Sequence, residues 1–102
     1  MTLKMVITPL SKYQIAETKS FEKIKKKIDK KLYSKIVNFV YPQLKENPLY
    51  GSNIKKLKDN LEGYYRYRIG NYRLFYLVED EKLIIVVVDL RHRQQAYDSY
   101  TG

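Results

Sequence analysis

The chain contains no cysteine, a single histidine, and no apolar run long enough to cross a bilayer. Without cysteine there is no disulfide, no thiolate nucleophile and no cysteine-bound metal. One histidine, His92, excludes a polyhistidine metal centre. A membrane-spanning helix needs about 20 consecutive, mostly apolar residues. The opening stretch, MTLKMVITPLSKYQ, lacks the long apolar core and small-residue cleavage site of a signal peptide. These absences predict a soluble cytoplasmic protein with no metal, no small-molecule cofactor and no membrane partner. A disulfide-free chain also suits a reducing compartment.

What is present is basic. Twenty Lys and Arg face eleven Asp and Glu, for a net charge of +9. Such a surplus favours a polyanionic partner. The 102 residues suit one domain with one modest core, spanning 1–102. Eleven tyrosines can stack on bases, but they also fill half-buried strand positions, and most are read as structural.

Along the chain, 3–8 or, better, Tyr13 to Thr18 reads as a strand, and Pro9 limits the first. Ser20 is a candidate cap for a helix whose stripe is Phe21, Ile24 and Ile28. Asp29 breaks it from a second helix at about Lys31 to Lys45. That helix has the stripe Leu32, Ile36, Phe39, Val40 and Leu44, and Pro42 should kink or shorten it. Asn47-Pro48 and Gly51-Ser52-Asn53 predict mostly loop over 47–62. Three strands follow, at about 63–69, 72–79 and 82–89. Asp80-Glu81 is the second turn, and the last strand, KLIIVVVD, is apolar enough for burial on both faces. The tail from residue 90 is polar.

The stretch from Tyr64 to Tyr97 organises the rest. Gly70-Asn71 is a two-residue hairpin signal, which sets Arg68 opposite Arg73, Tyr67 opposite Leu74 and Arg66 opposite Phe75. Because faces alternate along a strand, Arg66, Arg68 and Arg73 share one side. Tyr65, Tyr67, Ile69, Tyr72, Leu74 and Tyr76 share the other. Directly opposed like charges destabilise a sheet, so this face is either a solvated basic surface or a site for an anion. A two-residue turn at Asp80-Glu81 would put Ile84, Val86 and Val88 on the arginine side, a candidate protein-binding strip.

Several features recur in order: Ser20-Phe21-Glu22-Lys23, two helices, Leu44 to Pro48, and Lys55-Lys56-Leu57-Lys58. Tyr65 to Leu74 (YRYRIGNYRL) comes next, then His92-Arg93 with Tyr97. On these, residues 20–97 resemble the RelE/ParE superfamily of bacterial and archaeal toxins, with residues 1–12 as an extension. The resemblance implies an α+β fold, an N-terminal helical hairpin packed on a twisted, mostly antiparallel sheet, and a cognate antitoxin as partner. RelE-like members cleave mRNA in the ribosomal decoding site; ParE-like members inhibit DNA gyrase and cleave no RNA.

By that resemblance Arg66 and Arg68 stand where RelE-like toxins often carry lysines. Arg73 and Arg91 match phosphate-binding arginines, and Tyr97 matches a tail tyrosine. Arginine stays protonated and serves poorly as a general base, which moves proton transfer toward Tyr97 or His92. The preferred reading is a ribosome-dependent, metal-independent mRNA endoribonuclease; the alternative is a non-catalytic gyrase inhibitor.

Overall fold

The computed structural model describes residues 12–58 and 61–95 of the chain. The order of elements is β1 (Gln14–Glu17), α1 (Lys19–Lys25), α2 (Lys30–Lys35), a π-helical turn (Ile36–Val40), α3 (Tyr41–Glu46), β2 (Ile54–Lys56), β3 (Tyr64–Ile69), β4 (Tyr72–Glu79) and β5 (Ile84–His92). The strands form one sheet, ordered β1-β5-β4-β3-β2. All pairs are antiparallel except β1 with β5. The helical segments meet one face, where Phe21, Ile36, Val40 and Leu44 join Tyr67, Leu74, Tyr76, Ile85 and Val87 in one buried cluster. The class is α+β, as the sequence predicts; the strand candidate at 3–8 lies outside the described residues.

Local chemistry explains the element ends. Thr18, not Ser20, caps α1: its Oγ1 accepts the Phe21 N–H at 3.2 Å and donates to the Val87 carbonyl at 3.0 Å. One hydroxyl thus starts the helix and ties the end of β1 to β5. Asp29 does divide the helices, its carboxylate accepting the Lys31 N–H as the cap of α2.

Pro42 does not end the helical segment, which runs on through α3 to Glu46. The chain widens first, the Tyr41 N–H reaching back five residues to the Ile36 carbonyl. This wide turn falls just before a ring that would clash with the carbonyl four residues back in a regular helix. It has a second effect. Leu32, Ile36, Val40 and Leu44 are spaced by four, so their stripe drifts by about 40° per step on a 3.6-residue helix. A wider turn absorbs part of that drift and keeps Ile36, Val40 and Leu44 inward. Phe39 is turned out with the same motion and is 63% exposed, contrary to its expected place in the core.

The sheet corrects three further expectations. β2 sits within the predicted loop; its three residues, including the edge lysines Lys55 and Lys56, are too few to show alternation. The β4–β5 turn has four residues, Asp80–Leu83, because Asp-Glu does not favour the two positive φ angles of a two-residue turn. Leu83 takes φ 55° instead, held by the Gln14 N–H on its carbonyl and by packing on the core. Pairing is shifted by two residues, so face parity survives. β5 is central, yet only one face is fully buried, and it runs on to His92.

Tyrosine hydroxyls peg the layers together. Tyr76 donates to the Pro48 carbonyl at 2.7 Å, and Tyr67 donates to Gln43 Oε1 at 2.7 Å. Tyr41 and Tyr33 both donate to Glu17 Oε2, at 2.7 and 2.9 Å, while Lys25 binds Glu17 Oε1 at 2.9 Å. Burial alone would raise the Glu17 pKa, but the bonds from Lys25, Tyr41 and Tyr33 outweigh it and hold the carboxyl below its ordinary 4.5. A carboxylate with a depressed folded pKa stabilises the fold above its unfolded value, and that stability is lost as pH falls through the folded value. Glu17→Gln is therefore expected to lower stability by about 1–3 kcal/mol at pH 7. Thermal melts should show that deficit closing below pH 4.5; a pH-independent gap would contradict it.

Candidate functional site

The hairpin register is the one the Gly70-Asn71 turn dictates. Arg68 pairs with Arg73, Arg66 with Phe75 and Tyr67 with Leu74, with Gly70 at φ 56°. Tyr67 and Leu74 are in the helix-covered core, so the arginines project from the opposite face.

Arg91 reaches that face by an irregularity. Ile85 and Val87 point to the helices, and strict alternation would send residues 89 and 91 the same way. Instead β5 carries one extra residue: Tyr76 pairs with Val87, but Phe75 pairs with Asp89. This bulge at Val88 returns Leu90 to the core opposite Leu74 and sets Arg91 opposite Arg73. The result is a row across three strands, Arg68–Arg73–Arg91. Arg66 lies one pleat along, in line with Lys55 of β2 and Asp89 of β5.

Asp89 is a member the sequence reading missed. One carboxylate oxygen accepts the Leu90 N–H at 2.8 Å and the other accepts Arg91 Nε at 3.0 Å. It stabilises the bulge and positions the Arg91 guanidinium. Arg73 turns toward the hairpin tip, its Nη1 donating to the carbonyls of Gly70 and Tyr72 at 3.1 and 3.0 Å. A hollow of about 420 Å³ opens there, which Arg68 and Arg73 share with Arg93, Lys35 and Phe39. The clue to Arg93 was its even spacing from Arg91; Lys35 shows no comparable signal, being one lysine among many.

The other side of the row differs. Phe75 and Leu57 form a small second core, packed by Leu61, Tyr64 and Val88. Val88 is therefore engaged, while Ile84 and Val86 remain half-buried on that face. His92 does not join the arginines. It pairs with Tyr72, on the face of Leu74 and Leu90, and meets the Tyr72 ring edge-on at 5.5 Å. Tyr97 lies outside the described residues. Among the described residues no group of three His, Cys, Asp or Glu could hold a metal ion, and no helix is long and apolar enough to cross a membrane.

A phosphate fits this arrangement physically: three directly opposed cations repel one another, and a shared anion relieves that repulsion through charge-assisted bonds.

The family described as ParE toxin of type II toxin–antitoxin system, parDE, matches residues 16–97. Toxin RelG of Mycobacterium tuberculosis is 31% identical over 71 residues, 70% of this chain and 79% of RelG. Among solved structures, the RelBE2 toxin–antitoxin complex of M. tuberculosis superposes with a TM-score of 0.71 at 28% identity, covering 79% of this chain and 98% of that one. The archaeal RelE–RelB complex of Pyrococcus horikoshii gives 0.68 at 25%, covering 83% and 99%. From the end of β1 into the tail, then, the chain belongs to the RelE/ParE superfamily and is a toxin of a type II toxin–antitoxin pair.

Proposed function

We propose that the toxin is a ribosome-dependent mRNA endoribonuclease whose arginine row holds the scissile phosphate. The observation that carries this reading is the alignment of Arg68, Arg73 and Arg91 across three strands on the face away from the helices. In such a cleavage the 2′-oxygen bonds to phosphorus as the bond to the 5′-oxygen breaks, giving a cyclic phosphate and a 5′-hydroxyl. The 2′-hydroxyl proton must leave to a base, and the 5′-oxygen must gain one. Arg73 and Arg91 bind the phosphate oxygens, while Arg66 and Arg68 neutralise charge that grows in the transition state. Arginine cations supply this stabilisation without a metal.

Proton transfer falls to Tyr97 in this reading. A tyrosine has an ordinary pKa of about 10, and arginine neighbours would favour its phenolate. His92, the other candidate from sequence, is set back by its position beside Tyr72 on the opposite face.

A second reading has its own support. The matched family bears the ParE description, and no described histidine stands on the arginine side. On that reading the toxin inhibits DNA gyrase, and the basic face docks rather than cleaves. The antitoxin is the partner of either form, and the half-buried Ile84 and Val86 offer it an apolar strip beside the cations.

Primer extension on a reporter mRNA after induction decides between them. Discrete cleavage stops are expected; intact mRNA with gyrase-dependent DNA breaks would establish the second reading. Arg73→Ala is expected to lower cleavage by ~10² to 10³ in a protein that still folds, since Arg73 lies outside the buried core. Tyr97→Phe, which removes one hydroxyl, is expected to lose toxicity as Tyr97→Ala does. A toxic Tyr97→Phe beside an inactive Tyr97→Ala would reduce the ring to an anchor.

A further inference from the structure

We infer that Phe39 and the basic hollows on either side of it form a groove for a single-stranded nucleic-acid segment, one that adjoins the arginine row at Arg68 and Arg73. A phenylalanine 63% exposed on a helix is a large apolar surface in water, and the π-helical turn puts it there. Such turns are often found at functional sites. Here the surroundings of the ring give the reason a chemistry. On one side, a hollow of about 430 Å³ is lined by Lys30, Lys31 and Lys35. On the other, the hollow of about 420 Å³ brings in Arg68, Arg73 and Arg93, with Lys35 and Phe39 common to both. No carboxylate lines either one. A third hollow continues from the second through Asn53 and Tyr67 to Tyr50, which is 76% exposed.

The surfaces run cationic, aromatic, cationic, then amide and hydroxyl beside the carboxylate of Glu46, and aromatic again at Tyr50. Single-stranded nucleic acid is recognised by this combination: cations follow the phosphates, and unstacked bases lie on aromatic rings. In a duplex the base faces are already stacked on one another, so Phe39 has nothing to offer it. An apolar protein segment would gain from Phe39 but would leave the flanking cations without counter-charge. Phenylalanine carries no hydrogen-bonding group, so the ring accepts any base, and sequence preference is not expected from it. The groove meets the arginine face at Arg68 and Arg73, so on the cleavage reading it would guide a strand to the scissile site. Binding itself does not depend on that reading.

The test is fluorescence anisotropy of the purified full-length toxin with a short labelled oligothymidylate, across a salt series. That strand lacks a 2′-hydroxyl and cannot be cleaved by the proposed route, so binding is read apart from catalysis. Phe39→Ala is expected to weaken binding about tenfold, Phe39→Trp to retain it, and both to melt as the parent does. Lys31→Ala and Lys35→Ala should each lower the salt slope by about 0.7. A duplex of the same length should show no dependence on Phe39. Unchanged affinity in Phe39→Ala overturns the proposal. So does a Phe39→Ala protein that loses antitoxin capture alone, which would make the ring a protein-docking residue.

Discussion

Val88 is one residue too many for the ladder between β4 and β5, and the place of Arg91 on the cationic face depends on it. The constraint is the two-residue period of a strand. β5 must bury Ile85, Val87 and Leu90 against the helices, yet 85 and 87 are odd and 90 is even. No regular strand satisfies that set. With the extra residue absorbed at the bulge, Leu90 remains in the core and Arg91 is placed on the outside. Asp89 makes the irregularity tenable by accepting the Leu90 N–H and holding Arg91. Packing on one face and charge alignment on the other thus have a common origin.

The remaining layers are held by hydroxyl groups as much as by apolar contact. Buried tyrosines contribute large apolar rings, and each needs a partner for its oxygen. Pro48, Gln43 and Glu17 provide those partners from three different segments. Glu17 is the most heavily used, joining β1 to α1 through Lys25, to α2 through Tyr33 and to α3 through Tyr41. Burial and the bond to Glu17 both push the Tyr41 phenol well above its usual range, which favours its role as a donor to that carboxylate.

Much of the hairpin was legible because a glycine-led turn dictates register, and register dictates faces. Arg66, Arg68 and Arg73 could be grouped from that alone. Arg91 was grouped by resemblance to known toxins, whereas its physical route to the face, the bulge, leaves no mark in an unbroken apolar run. His92 was placed near the chemistry by its titration range, but strand parity opposite Tyr72 sets it apart. Phe39 was misread because a regular helical period was assumed where a wider turn intervenes. Asp89 was passed over because a single carboxylate at a strand end signals nothing until its neighbours are known.

The parallel pairing of β1 with β5 joins Ile15 to Ile85, 70 residues apart in a chain of 102. Contacts of such long separation form late and slow the acquisition of the fold. During synthesis, the helices, β3 and β4 leave the ribosome while the slot between β1 and β4 is still vacant. Only β5 fills that slot, and the same strand brings Arg91 to complete the row. Closure of the sheet over the hydrophobic interior and completion of the Arg68–Arg73–Arg91 row therefore both wait on the same strand.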